Sequence, residues 1–153
     1  MSLDHGLNRS TAVVNARFER IVRMEKEIQE IKQIIDEAYI CGIHGEQDRT
    51  LIDGGFHPEF EMLVLEKDEI KRVNMDEWLS RISAMKESHP ALWSEATNYG
   101  FKIVDAAGTA AVAKLEVYKG DQFFSIDYML LYKIEGKWQI VSKVFSVKRK
   151  PSP

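Results

Sequence analysis

The sequence has one cysteine, Cys41, among 153 residues. A lone thiol can form no internal disulfide and no thiol pair that would hold zinc. Cys41 directly follows the apolar run Ala38–Ile40, a setting in which a free thiol usually behaves as a small buried hydrophobe. The sequence also lacks a glycine-rich phosphate loop, a Ser-His-Asp signature and any metal-ligand spacing. We therefore expect neither a metal site nor a cofactor.

An excess of charge and long apolar runs are missing as well. The 21 Lys and Arg residues and the 24 Asp and Glu residues give a net charge of −3, which argues against a general binder of nucleic-acid phosphates. No apolar run approaches the roughly 20 residues that span a bilayer. Residues 1–6 lack a basic region followed by an apolar stretch. The sequence therefore predicts a cytoplasmic protein that binds neither nucleic acid nor a membrane.

Glycine and proline, with 9 and 4 residues, are too scarce for a collagen-like or low-complexity chain. Hydrophobic residues make up 44% of the sequence, which is enough for a core. A chain of this length buries roughly two thirds of the surface that it exposes when unfolded. These properties predict one globular domain.

Apolar residues recur in steps of three and four between Ala12 and His44, which predicts one long helix that ends at Gly42 and Gly45. The apolar positions are Val14, Phe18, Ile21, Met24, Ile28, Ile31, Ile35 and Ala38. About 30 helical residues extend roughly 45 Å, farther than the sheet of a domain of this size. Three arrangements of the first half are open: a break near residues 23–27 that folds it back, packing onto its own domain, or packing against a second chain.

Strand patterns begin after a short helical or irregular segment at residues 46–54. Residues 60–65 alternate between two faces, and residues 66–69 form a polar tip from which residues 70–73 return. This pattern predicts a β-hairpin. Asn74, followed three positions later by a glutamate, is placed to cap a further helix.

The last third of the sequence predicts an antiparallel meander of three long strands. Its turn signals lie at residues 107–109, 119–121 and 135–137. Even-numbered residues from Phe124 to Ile134 are all apolar or aromatic, so we expect this face, with Tyr128 and Tyr132, to point inward. Asp127 lies on the opposite, mixed face and is expected to meet solvent or a subunit interface. A partly covered outer face predicts a homodimer.

The order of these elements resembles the cone-shaped α+β domain of the nuclear transport factor 2-like superfamily, in which a curved antiparallel sheet wraps around three helices. Four phrases, Tyr39–Gly45, Phe56–Phe60, Met75–Trp78 and Gly136–Lys143, resemble the branch described as putative lumazine-binding. The resemblance covers roughly residues 27–147. We therefore divide the chain into an N-terminal helical extension (1–26), the cone domain (27–150) and a tail (151–153).

The resemblance implies a cavity between the concave sheet and the helices. We expect it to bind a small apolar or aromatic molecule, such as a pteridine- or flavin-like ring, without catalysis. The side chains expected to contact this ligand are Tyr39, His57, Phe60, Trp78, Phe124, Tyr128, Tyr132 and Trp138.

Two alternatives stay open at this stage. One is a cofactor-independent isomerase, dehydratase or cyclase that uses His57 and Asp53 as its acid–base pair. The other is a dimerisation or assembly module with a filled cone. His44, at the end of the first helix, is expected to complement the helix dipole when it is protonated.

Overall fold

A computed structural model describes residues 2–148 of the chain and the side chains of residues 9–148. The helical elements are α1 (Ser2–Ile34), a π-helical segment (Ile35–Glu46), α2 (Arg49–Gly55), α3 (Met75–Ser88) and α4 (Pro90–Ser94). The strands are β1 (Phe56–Glu66), β2 (Glu69–Asn74), β3 (Thr97–Ala107), β4 (Ala110–Lys119), β5 (Gln122–Ile134) and β6 (Lys137–Ser146). The predicted tail, residues 151–153, lies outside the described residues.

The strands form one sheet in the order β2-β1-β6-β5-β4-β3. Neighbouring strands are antiparallel except for the parallel pair of β1 and β6. In the β1–β2 turn, Lys67 and Asp68 have φ angles of 49° and 66°, as a two-residue hairpin turn of type I′ requires. Asn74 caps α3 by accepting a hydrogen bond from the backbone N–H of Glu77. The predicted α+β architecture, a curved sheet around helices with an additional N-terminal helix, is confirmed.

The N-terminal helix α1 continues for 33 residues without a break. All described side chains from Arg9 to Lys26 are exposed, and the first buried residue of the helix is Ile31. The expectations that this half folds back near residues 23–27 or packs onto its own domain are therefore wrong. Packing against a second chain stays a prediction.

Three β-bulges bend the sheet, and each adds one unpaired residue to a strand. The extra residues are Lys102 in β3, Phe124 in β5 and Val141 in β6. A bulge bends its strand and changes which side chains face the core beyond it. The same bulges that curve the sheet into a cone therefore also change which residues of each strand face the core.

The bulge at Phe124 overturns the predicted orientation of β5. Beyond it, odd-numbered residues point into the core, and Asp127 is fully buried. Tyr128 and Tyr132 lie on the outer face and are 38% and 54% exposed. The predictions of inward-facing tyrosines and of an outward-facing Asp127 are therefore wrong, although the strands pair as expected.

The core lies between the concave face of the sheet and the helical layer. It includes Ile31, Ile35, Ile43, Phe60, Val73, Trp78, Leu115, Met129 and Trp138. Cys41 points away from this core and is exposed, so its predicted burial is wrong.

Within residues 2–148 no helix has both the length and the apolar character needed to cross a membrane. The cytoplasmic location stays a prediction.

Gly55, the last residue of α2, provides a test of how tightly the helical layer is packed. A Cβ atom at this position lies 2.5 Å from the Ala38 Cβ atom and 2.9 Å from Ile34 Cγ2. We expect Gly55→Ala to lower the free energy of unfolding by about 1–3 kcal/mol because the neighbouring helix must shift. The matched control is Gly54→Ala, since a Cβ atom there meets nothing within 4 Å. Urea denaturation measures both, and equal stability of the two variants would contradict this packing.

Candidate functional site

A cavity of about 190 Å³ lies between the concave sheet and the helical layer. Its aromatic lining consists of Tyr39, Trp78, Trp93, Phe124 and Phe145, and its polar lining of His44, Arg81, Ser125 and Lys143. The π-helical segment, α3, α4, β1, β5 and β6 all contribute to the wall. The rest of the lining is aliphatic or methionine. The site is therefore an apolar space with a few polar groups.

The aromatic side chains form one connected group within this wall, because the Tyr39 and His44 rings meet edge-on with their centres 4.7 Å apart. Trp78 packs against Tyr39 with the ring centres 5.9 Å apart. The His44 ring stacks on Trp93 at 5.7 Å, with 12° between the ring planes, and Phe124 meets both rings edge-on. The bulge in β5 explains how Phe124 and the next residue, Ser125, both reach the cavity, because a bulge can place consecutive side chains on one face.

Tyr39, Asp127 and Lys143 form a buried polar cluster at the cavity wall. The Tyr39 hydroxyl donates to Asp127 Oδ2, and Lys143 Nζ donates to the Tyr39 hydroxyl oxygen at 3.1 Å. Lys143 Nζ also lies 3.4 Å from Asp127 Oδ1, and the two side chains are 5% and 0% exposed. The cluster thus pairs each buried charge with a partner.

Burial changes the protonation chemistry of this cluster. Desolvation, together with the charge of Asp127, raises the pKa of Tyr39 well above its usual value. Desolvation lowers the pKa of Lys143, although the neighbouring Asp127 acts in the opposite direction. Tyr39 therefore keeps its proton, and the Lys143 amine loses its proton more readily than an exposed lysine.

His44 is a neutral imidazole inside the wall. Desolvation lowers its pKa well below the usual value, and the charges of Lys119, Lys143 and Lys86 lower it further. Both ring nitrogens are buried and have no hydrogen-bond partner among the described residues. The expectation that a protonated His44 complements the helix dipole is therefore wrong.

Lys119 makes the end of the cavity near Trp93 electropositive. Its Nζ atom lies 4.0 Å from the centre of the Trp93 ring and donates to Thr97 Oγ1 at 2.8 Å. Desolvation and the nearby charge of Lys86 lower the pKa of Lys119 to about 8.

Within the described part of the chain, no group of three or more His, Cys, Asp or Glu side chains could hold a metal ion.

Only some of the predicted ligand contacts lie in this cavity. Tyr39, Trp78 and Phe124 line it. Phe60 is buried and stacks on Trp78 at 5.6 Å without belonging to the lining. Trp138 is also buried, but its indole N–H donates to a carboxylate on α1. The structure therefore separates the predicted aromatic wall into cavity and core residues.

The other predicted site residues lie elsewhere. Tyr128 and Tyr132 are on the outer face of the sheet. Asp53 accepts a hydrogen bond from Arg49 at the surface, whereas His57 Nδ1 accepts the backbone N–H of Glu59 at 3.0 Å. Neither Asp53 nor His57 lines the cavity. The isomerase, dehydratase or cyclase alternative required this pair inside the cone, so the structure gives it no support.

Lys143 is the functional candidate that sequence reasoning missed. Trp138 and Ile140 point inward at even positions, and the bulge at Val141 then turns the odd-numbered Lys143 inward. Simple alternation predicts the opposite orientation. The one available signal was the position of a charged residue directly before the apolar pair Val144 and Phe145 in the second half of the strand.

The burial of His44 predicts a loss of stability in weak acid. The unfolded chain protonates this imidazole below about pH 6.5, whereas the folded protein does not. The free energy of unfolding therefore decreases by up to about 1.4 kcal/mol for each unit by which the pH is lowered. We expect His44→Phe to remove this slope between about pH 6.5 and 5.5. The control His89→Asn changes an exposed histidine and should keep it. Urea unfolding at each pH measures the slope, and an unchanged slope in His44→Phe would refute the assignment.

Comparison with known proteins gives the family of this chain. Residues 26–146 match the model of the family described as "Putative lumazine-binding". No curated protein matches the chain.

Solved structures show the same fold at low sequence identity. An NTF2-like protein of unknown function from Shewanella baltica OS155 aligns with a TM-score of 0.62 at 20% identity, over 79% of this chain and 93% of that one. An NTF-2 like protein of unknown function from Silicibacter pomeroyi DSS-3 aligns with a TM-score of 0.64 at 17% identity, over 81% and 98%. The chain belongs to the family described as putative lumazine-binding, and it has the fold of the NTF2-like proteins to which it is similar.

Proposed function

We propose that the chain binds a small planar aromatic molecule in the cavity. The observation that carries this proposal is that one cavity combines aromatic walls with a buried imidazole whose nitrogens have no partner. An apolar cavity of about 150 Å³ accommodates benzene. A volume of about 190 Å³ therefore suits a ligand of one or two fused rings.

The polar groups indicate what the edge of this ligand must offer. A neutral histidine donates through one ring nitrogen and accepts through the other, and an ammonium group has three N–H donors. One donor of Lys143 is used by the Tyr39 hydroxyl, and the amine lies 3.4 Å from Asp127 Oδ1 without a hydrogen bond to it. The remaining donors of Lys143 and the two nitrogens of His44 suit a ring with neighbouring acceptor and donor atoms. A pteridine, which has two fused rings, has such an edge, and the family description names lumazine.

Titration with lumazine tests this proposal, since Trp78 and Trp93 in the wall make tryptophan fluorescence a direct probe. We expect saturable quenching and at least about tenfold weaker binding in Ser125→Leu, which fills the cavity from its own wall. The matched control is Tyr132→Leu on the outer face, which should leave the Kd unchanged. If lumazine leaves the emission unchanged up to millimolar concentration, the proposed ligand class is wrong.

We also propose that two copies of the chain associate through the first half of α1. Val14, Phe18 and Ile21 are 61%, 67% and 55% exposed and lie on one side of the helix. Helices in proteins gain most of their stability from the packing of an apolar face, and the side chains of Arg9 to Lys26 are exposed in the single chain. A second copy offers the same apolar stripe, so that the two helices can cover each other across a twofold axis.

Sedimentation of full-length variants tests this association. Phe18→Asp places a charge in the apolar stripe, and we expect it to shift the dimer toward the monomer by at least about tenfold in Kd. Ala16→Asp adds the same charge on the opposite side of the helix and should leave the mass unchanged. Equal masses for the parent protein and Phe18→Asp would rule out this interface.

A further inference from the structure

Lys143 is placed as a reactive amine and not as a surface charge. It lies in the middle of β6, beside Met129 of β5 and Met62 of β1. Its Nζ atom is within 5.0 Å of the ring centres of Tyr39, Trp78 and Phe145. The side chain is almost fully buried and nevertheless lines the cavity. A ligand in the cavity therefore meets this amine in surroundings that contain little water.

A contribution to stability alone is a poor explanation for the buried ion pair of Lys143 and Asp127. Well-packed apolar residues in place of such a pair are often as stable or more stable, because both charges must be removed from water. The pair of Lys143 and Asp127 is also loose, at 3.4 Å. A chemical role accounts for an amine that lines the apolar cavity.

The neighbours of Lys143 provide what amine–carbonyl chemistry requires. The nucleophile must be the neutral amine, and burial lowers the pKa of Lys143 toward that form. Asp127 is the base that can take the ammonium proton. The Tyr39 hydroxyl lies between the two groups and can pass a proton to the oxygen atom of the carbonyl carbon.

We propose that the Lys143 amine forms a reversible Schiff base with an aldehyde or ketone group of a planar ligand in the cavity. The nitrogen lone pair attacks the carbonyl carbon, and the carbonyl electron pair moves to oxygen, which is protonated. The attacking nitrogen gives one proton to the cluster, which balances the proton taken up by oxygen, and a neutral carbinolamine results. Its hydroxyl group takes a second proton from the cluster and leaves as water, the nitrogen returns its remaining proton to the cluster, and a C=N bond is left. The step needs no oxidant or reductant, and water reverses it. This inference rests on the proposed binding function of the same cavity.

Reductive trapping tests the proposal with benzaldehyde as the probe and cyanoborohydride as the reductant. We expect one benzyl group per chain at low aldehyde concentration, located on Lys143 by peptide mapping. Labelling of Lys143 should be faster than that of exposed lysines by about tenfold or more, because the cavity holds the aldehyde next to this amine. Lys143→Arg keeps a cation beside Asp127 and should lose the adduct, whereas Lys137→Arg changes an exposed lysine of the same strand and should keep it.

Two further variants keep the test decisive if Lys143→Arg fails to fold. Ser125→Leu retains the amine but fills the cavity, so it should block labelling of Lys143 alone. Tyr39→Phe retains the amine and the aromatic ring but removes the proton relay, so it should slow the labelling of Lys143, whereas Tyr132→Phe on the outer face should leave the rate unchanged.

Failure of the Schiff base and failure of the binding proposal give different results. If benzyl alcohol quenches tryptophan fluorescence but benzaldehyde labels lysines only according to their exposure, the cavity binds aromatic rings and the Schiff base is refuted. If benzyl alcohol does not bind and Lys143 is not labelled, the proposed binding function fails as well. Preferential labelling of Lys143 that persists in Ser125→Leu would refute attack from the cavity.

Discussion

The bulges in β5 and β6 determine which side chains can meet inside the cone. In a regular strand alternate residues face opposite sides, so one extra residue exchanges the two faces from that point on. The bulge at Phe124 brings Asp127 inward, and the bulge at Val141 does the same for Lys143. The local bending that curves the sheet thus also assembles the buried ion pair.

The second constraint is the shortage of water around these groups. Burying an unpaired charge in an apolar core costs free energy, so Asp127 and Lys143 must lie next to each other. The Tyr39 hydroxyl forms a hydrogen bond with each of them. His44 meets the same constraint by staying neutral. The polar part of the cavity is therefore fixed by packing before any ligand arrives, which favours binding and limits the rearrangement that binding requires.

The sequence was sufficient to predict the element order, the hairpin, the capped helix and the meander, because helical periodicity and turn residues are local signals. Tyr39, Trp78 and Phe124 could be assigned to the cavity from their elements and from the family resemblance. The orientation of Tyr128 could not be predicted, since an extra residue in one strand is recognisable only against the register of its neighbours. The inward orientation of Lys143 could not be predicted for the same reason, because it depends on the bulge at Val141. The burial of His44 depends on Trp93, which lies in a distant part of the chain.

The continuity of α1 with the π-helical segment connects the outside of the protein with its interior. One uninterrupted rod carries the solvent-facing apolar stripe at one end and Tyr39 and His44 at the other. A π-helical turn holds an additional residue and is a place where a helix can change its register. The same hydrogen-bonded backbone that presents the apolar stripe to solvent therefore also fixes where Tyr39 and His44 enter the cavity wall.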